Sequence, residues 1–356
     1  MRNNYLKKYV SVVVFVLFTM VGLCSCGSHE QGKINVAASG APNQDGDVTK
    51  ESSADIQPKQ ALGKEPQQDQ KQEQKAKTFA SPGDMFVTNM SGDVVLLNGD
   101  GYLKNIIVDA NKVLVEGLSW NPKSQKVLLP SIGSGLLFSV SVVSGFSEIE
   151  FSYSQKLIPF DISVFNNEEN FLLAHESGVD LLSLNGDFIK TIVPNQAFVS
   201  EVFTTKDGGF VLCSNDVSNS LGRVQRYSAK GQMVGKPAIG KKLLLGNQPH
   251  AKGCAPLKSG NIAVSWSGQT GGRVDLFSKY LKTHIGYFEN DKLLKQPAGI
   301  AQLPNGNVLV VDSFYNHIIE LELTKEKGEK AFSYVKTIES KVLAEPKQIL
   351  VVPKLK

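Results

Sequence analysis

The chain has 356 residues, of which 41% are hydrophobic, and its formal net charge is +4. So small a charge, without a sustained basic stripe, argues against nucleic acid as a partner. The sequence contains no Gly-rich phosphate loop before a helix, and no Cys-x-x-Cys or His-Glu-x-x-His pair that would hold zinc. We therefore predict no cofactor.

Residues 1–25 have the pattern of a secretion signal. Three basic residues precede an apolar run from Val10 to Leu23, which is shorter than the roughly 20 residues that span a membrane. The run ends at Leu23-Cys24-Ser25-Cys26, which resembles the end of a bacterial lipoprotein signal peptide. The resemblance implies cleavage before Cys26 and its lipidation, with two or more acyl chains such as palmitate. An uncleaved signal anchor is the alternative.

Residues 26–80 form a polar segment that follows the lipidation site. Gln, Lys, Glu, Asp, Ser, Ala and Pro dominate it, as in the stretch from Lys64 to Lys75. Such a segment cannot offset its ordering entropy by burying apolar side chains. A helix is the alternative for the Gln/Lys/Glu run, but no apolar stripe would dock it. We predict a disordered linker that spaces the body from the membrane.

Two cysteines, Cys213 and Cys254, belong to the body of the chain. This is a low count for an exported protein that could have been stabilised by disulfides. Both cysteines lie in apolar stretches. We therefore expect two buried free thiols rather than a disulfide.

Residues 81–356 carry a repeated β-rich unit. In its clearest copy, which runs from Gln296 to Ile338, the hairpin signal Pro-Asn-Gly-Asn separates two β-rich runs, and two more runs follow. The units recur at intervals of about 40 to 52 residues, the size of a four-stranded propeller blade. Their first strands are expected near Leu118, Ile162, Val202, Cys254, Ile300 and Ile349.

The two ends of the repeat region complement each other. The segment from Met85 to Lys104 supplies a second strand, a third strand and the turn into a fourth, whereas the segment from Pro346 to Pro353 supplies only a first strand. Joined, they make a sixth blade, which closes the ring and removes its exposed edges. We predict an all-β, six-bladed β-propeller closed by the C-terminal strand.

One repeat unit resembles a known family. The pattern Pro297-x-Gly299-Ile300, Asn305-Gly306-Asn307, Val310-Val311-Asp312 and Asn316-His317-Ile318 is similar to the NHL repeat. The resemblance implies a six-bladed propeller that commonly binds proteins, glycans or nucleic acid and is an enzyme in some branches. Because one propeller shape hosts unrelated functions, the resemblance does not fix the role.

A second resemblance supports an enzyme as the alternative. The stretch from Glu116 to Pro122 is similar to the start of the first blade in gluconolactonase-type hydrolases, where a Glu ligates a divalent cation. That likeness implies a lactonase or esterase using a hard cation such as calcium, with Glu116 as a ligand. Ala298 stands where the family has an Asp.

The repeat register places several ionisable residues near one end of the central channel. Convergent ionisable groups at a concave mouth are candidates for a binding site, although they could instead only solvate a wet channel. The candidates are Glu116, Asp161, Glu201, His250, Lys252 and Lys347.

The same face is expected to carry the loops between second and third strands. Tyr315 lies in such a loop, and Lys241 and Lys242 lie in the connection that ends at Gln248. Loops on a rigid scaffold often carry recognition residues, although ordinary loop variation is equally possible. We expect a lipid-anchored module of the bacterial cell envelope, exposed outside the cytoplasm, that binds an envelope protein or a glycan. A purely structural envelope component is a further alternative.

Overall fold

The computed structural model describes residues 78–108, 114–153, 157–165, 168–196, 198–216, 221–240, 249–324 and 331–355. The predicted signal peptide, Cys26 and nearly all of the predicted linker lie outside these residues, as do Lys241 and Lys242. Within the described ranges, no helix is long and apolar enough to cross a membrane.

The described residues form six antiparallel sheets, which are the blades of a β-propeller, so the predicted fold is confirmed. Blade 1 contains β1 (Met85–Asn89), β2 (Val94–Leu97), β3 (Leu103–Val108) and β25 (Pro346–Val351). Blade 2 contains β4 (Leu114–Val115), β5 (Ser119–Asn121), β6 (Lys126–Ile132), β7 (Leu136–Ser141) and β8 (Ser147–Ser152). Blade 3 contains β9 (Pro159–Phe165), β10 (Asn170–His175), β11 (Gly178–Ser183) and β12 (Phe188–Pro194).

The remaining blades have four strands each. Blade 4 contains β13 (Val199–Thr204), β14 (Phe210–Asp216), β15 (Leu221–Tyr227) and β16 (Met233–Ile239). Blade 5 contains β17 (His250–Pro256), β18 (Ile262–Ser267), β19 (Gly272–Phe277) and β20 (His284–Glu289). Blade 6 contains β21 (Pro297–Gln302), β22 (Val308–Asp312), β23 (His317–Leu323) and β24 (Phe332–Glu339).

The C-terminal strand closes the ring as the sequence predicts. In blade 1 the strand order is β25-β1-β2-β3, so the last strand of the chain is the innermost strand of the blade. Ile349 of β25 lies opposite Val87 of β1, and Val351 lies opposite Met85. This pairing satisfies the backbone groups of β1 that would otherwise form an open edge.

A hydrophobic cluster lies between every pair of neighbouring blades. The clusters arise because successive side chains of a strand point to opposite faces, so each blade packs one apolar face on either neighbour. Trp266, which has no exposed surface, fills the cluster between blades 4 and 5, and Trp120 packs against the cluster between blades 1 and 2. Burial is therefore distributed around the ring rather than collected in one central core.

Cys213 and Cys254 form a disulfide, so the expectation of two free thiols was wrong. Cys213 is on β14 of blade 4 and Cys254 is on β17 of blade 5, with a Cα–Cα distance of 6.3 Å. Both are buried in the cluster between these blades. Apolar surroundings predict burial of a cysteine, but they do not show that stacking of two blades brings the second cysteine beside it.

Candidate functional site

The innermost strands are irregular where the candidate residues lie. In blade 2 the inner strand is split into β4 and β5, and Glu116 and Gly117 lie in the gap. In blades 4 and 5 the pairing register shifts between Val199 and Glu201 and between Ala251 and Gly253. Because a bulge re-aims the side chains beside it, these irregularities interrupt the regular alternation of side chains along the inner strands.

Neighbouring inner strands approach closely at this level. A Cβ atom on Gly117 would lie 2.7 Å from the Cα atom of Asp161, and one on Gly299 would lie 2.6 Å from the Cα atom of Gln348. Both distances are shorter than side chains tolerate, so glycine is required at these two positions. Asp161 and Glu201 occupy the same position of the repeat as these two glycines. Each of the four residues lies directly before the aligned first-strand residue, which is Leu118, Ile162, Val202 or Ile300.

Glu116 and Lys347 form an ion pair at the channel mouth. The Lys347 Nζ atom donates a hydrogen bond to Glu116 Oε1 over 2.6 Å, and this contact joins blades 1 and 2. Roughly a quarter of each side chain is exposed. The Glu116 carboxylate is therefore already neutralised by an ammonium group of the chain itself.

Lys252 and His250 lie on β17 near this pair. Burial lowers the pKa of the Lys252 amine, the charge of Lys347 lowers it further, and the charge of Glu116 opposes both effects. Burial also lowers the pKa of the His250 imidazole, and the charge of Lys252 adds to that change. Lys252 is exposed to solvent although many protein atoms lie around its amine, as expected for a residue that lines a water-filled channel. The four residues therefore form one electrostatically connected group.

Asp161 and Glu201 form a second, deeper group. The Asp161 Oδ2 atom accepts a hydrogen bond of 2.9 Å from the backbone N–H of Val202, and the Glu201 carboxylate accepts one from the N–H of Cys254. Each carboxyl group thus reaches the inner strand of the next blade. No hydrogen-bond partner for the Asp161 Oδ1 atom lies within the described part of the chain.

Burial raises the pKa of Asp161 well above its usual range, against the backbone N–H groups of Val202 and Ile162, which stabilise the charged form. Burial also raises the pKa of Glu201, and the neighbouring Asp161 carboxyl adds to that rise. Two carboxyl groups that share a poorly hydrated site cannot both ionise easily. The pair therefore favours a protonated form.

Tyr315 lies on the same face as the channel mouth, in the loop between β22 and β23. Its hydroxyl donates a hydrogen bond of 3.0 Å to the carbonyl of Asp291, and its ring stacks on His317 with centroids 5.5 Å apart. The adjacent Phe314 ring contacts Tyr315 edge to face and is 55% exposed. The loop thus presents two aromatic rings to solvent.

Asp312 holds this loop in place. Its fully buried carboxylate accepts hydrogen bonds from four backbone N–H groups at distances of 2.7 to 3.0 Å. The donors are the N–H groups of Lys295, Gln296, Phe314 and Tyr315. Because the loop is fixed by these bonds, its aromatic rings are held in position before any ligand binds.

A polar cavity of about 510 Å³ adjoins this loop, and sequence reasoning missed it. It is lined by Tyr315, Asn316, Glu339, Ser340 and Lys341. Glu339 ends β24 and lies opposite His317 of β23, so strand pairing within blade 6 brings it beside the Tyr315 loop, and residues 340 and 341 follow it toward blade 1. The NHL-like triplet was a signal for this site, because its first residue, Asn316, lines the cavity. The Asn316 Oδ1 atom also accepts a 2.6 Å hydrogen bond from the N–H of Glu345.

The structure brings Glu116, His250, Lys252 and Lys347 into one group and Asp161 and Glu201 into another, whereas Tyr315 belongs to the loop of blade 6. Ser313 connects that loop to the mouth, because its hydroxyl donates a 2.8 Å hydrogen bond to the carbonyl of Pro346 beside Lys347. Chemically, the face offers aromatic rings, hydroxyl and amide groups and charges of both signs. These are groups that bind polar ligands.

Comparison with known proteins supports the fold and no more. No protein-family model matches the sequence, and no curated protein is significantly similar to it. Among solved structures, one from a nidogen/laminin complex has a TM-score of 0.59 and 12% identity, covering 75% of this chain and 97% of that one. Hydrazine synthase of Kuenenia stuttgartiensis has a TM-score of 0.56 and 12% identity, covering 74% of this chain and 86% of that one. At such identities the likeness shows the propeller architecture.

Proposed function

We propose that this chain is a lipid-anchored protein of the bacterial cell envelope whose propeller is a noncatalytic module that binds an envelope protein or a glycan. The observation that carries the binding role is the open polar cavity of about 510 Å³ beside a fixed pair of exposed aromatic rings. The NHL-like pattern of blade 6 supports it, because propellers with such repeats commonly act as binding modules.

The anchor is proposed from the sequence alone. The short apolar run, the small residue Ser25 and the following Cys26 support cleavage and lipidation, and the polar linker supports a body held away from the membrane. The anchor would keep the binding face exposed outside the cytoplasm.

The ion pair at the mouth favours a noncatalytic role over the gluconolactonase-type alternative. A catalytic cation at Glu116 would have to displace the Lys347 ammonium, which lies 2.6 Å from the carboxylate. A cation and an ammonium group compete for the same oxygen, so the pairing opposes metal binding at this position.

Cation content separates the two roles. We expect the full-length protein, dialysed against calcium-free buffer after calcium loading, to hold no more calcium than the Glu116→Gln variant, and neither protein to hydrolyse lactones. Calcium retained by the unsubstituted protein and lost in the Glu116→Gln variant, together with lactone hydrolysis, would support the hydrolase instead.

A further inference from the structure

Three potential metal ligands meet between blades 4 and 5, away from the cavity at Tyr315. They are the carboxylate of Glu201 and the sulfur atoms of Cys213 and Cys254, and their ligand atoms all lie within 4.8 Å of one another. The two sulfur atoms are joined as a disulfide. The cluster is therefore a cross-link in its oxidised form and a set of two thiols and a carboxyl group in its reduced form.

Strand pairing fixes the positions of all three residues. Glu201 on β13 lies opposite Cys213 on β14 in the register of blade 4. Cys254 on β17 of blade 5 donates its backbone N–H to the Glu201 carboxylate. The three ligands therefore come from three paired or hydrogen-bonded strands rather than from a loop, so breaking the S–S bond leaves their backbone positions held by the sheet.

We propose that two-electron reduction of the Cys213–Cys254 disulfide creates a binding site for one thiophilic divalent cation such as zinc, with both sulfur atoms and one Glu201 oxygen as ligands. A dithiol reductant supplies the electrons: it becomes a disulfide, the S–S bond breaks, and each sulfur takes one proton. Zinc binding then releases these two protons, because thiolates are the ligands.

The donor set and the spacing fit zinc. Thiolate sulfur and carboxylate oxygen are both zinc ligands in proteins, and tetrahedral bond lengths place such ligands about 3.7 Å apart. The three ligand atoms lie within 4.8 Å of one another, so a small movement of the side chains would give that spacing. Three protein ligands leave the fourth position for water.

The burial of the two cysteines also favours a bound cation over two thiolates without one. Both cysteines are at most 1% exposed, so two thiolates and a carboxylate there would have little contact with water. A divalent cation neutralises two of these three negative charges. Glu201 keeps some accessible surface, so the cluster is not closed to solvent on every side.

The test compares the oxidised and reduced forms of the same full-length protein, so it needs no variant that could fail to fold. Each form is incubated with zinc, the reduced form after treatment with a phosphine, and dialysed without chelator, and zinc is measured per chain. We expect about one zinc per reduced chain and less than a tenth of that per oxidised chain. With cobalt in place of zinc, we expect the absorption bands of tetrahedral thiolate coordination in the reduced form alone.

Variants assign the ligands. We expect Glu201→Gln to weaken zinc binding by at least tenfold and a Cys213→Ser/Cys254→Ser double variant to abolish it, whereas Glu148→Gln, at a carboxylate on the outer strand of blade 2, should retain zinc. A reduced protein that keeps its circular dichroism spectrum but binds no zinc would overturn the proposal. Equal zinc in the double serine variant would also overturn it. Neither result bears on the binding face at Tyr315.

Discussion

Closure of the ring by β25 can be tested by shortening one side chain, Ile349→Ala. Ile349 is 5% exposed and packs in the cluster between blades 6 and 1 with Met85, Val87 and Val311. Replacing a buried isoleucine by alanine loses transfer free energy and leaves a cavity, which together cost about 2 to 5 kcal/mol. Since folded domains are stable by only about 5 to 15 kcal/mol, this is a large fraction of the free energy of unfolding.

Removing the whole strand should cost more. Deleting residues 345–356 removes Ile349, Val351 and Val352, and each buried aliphatic side chain contributes about 1.5 to 3 kcal/mol. It also leaves the edge of β1 unpaired, which invites association with other chains. We expect the truncated chain to be unfolded or aggregated at 25 °C, whereas deleting residues 30–75 should change the melting temperature little.

Urea denaturation followed by circular dichroism measures the single substitution. Ile149→Ala is the matched control, because Ile149 lies on the outer strand β8 and is 56% exposed. We expect the control to change the free energy of unfolding by no more than about 0.5 kcal/mol. Equal effects of the two substitutions, or a C-terminal truncation that melts with the full-length protein, would refute closure by β25.

Two further predictions concern the buried carboxyl groups and the anchor. Because their pKa values are raised on folding, Asp161 and Glu201 bind protons more tightly in the folded chain than in the unfolded chain, so stability should fall as pH rises above about 4. Asp161→Asn should therefore raise the free energy of unfolding at pH 7 and flatten its pH dependence between pH 4 and 7; an unchanged pH dependence would contradict the assignment. Cys26→Ala should leave the protein without acyl chains and no longer fractionating with membranes, as read by mass spectrometry of the mature N-terminus; an intact segment from Met1 to Cys26 on the membrane form would reject the anchor.

The architecture could be predicted from the sequence because its signals are local. Turn residues such as Asn305-Gly306 and β-rich runs mark each hairpin, and the incomplete units at the two ends predict their own pairing. The strand order of blade 1 follows from joining these two incomplete units.

The site could be predicted only in part, because its contacts depend on how blades stack. The Lys347–Glu116 ion pair joins residues 231 positions apart, and the Cys213–Cys254 disulfide joins two blades. The cavity at Tyr315 is lined by residues 339–341, which the pairing of β24 with β23 brings beside the loop. Composition identifies ionisable candidates near the mouth, but not which of them neutralise each other.

We propose that the face carrying the mouth and Tyr315 binds a partner. The measurement is crosslinking in cells followed by affinity purification from membranes, comparing a Lys241→Ala/Lys242→Ala/His250→Ala/Tyr315→Ala variant with a control altered at the opposite ends of the strands. The control replaces three lysines and one tyrosine that are exposed in turns between first and second or between third and fourth strands: Lys206, Lys230, Lys282 and Tyr280.

Both variants should melt close to the unsubstituted protein, since none of the substituted residues that the structure describes belongs to a hydrophobic cluster between blades. We predict that the mouth-face variant loses the crosslinked partner, whether protein or glycan, and that the control retains it. Undiminished recovery with the mouth-face variant, or equal loss with the control, would contradict the assignment of this face as the binding site.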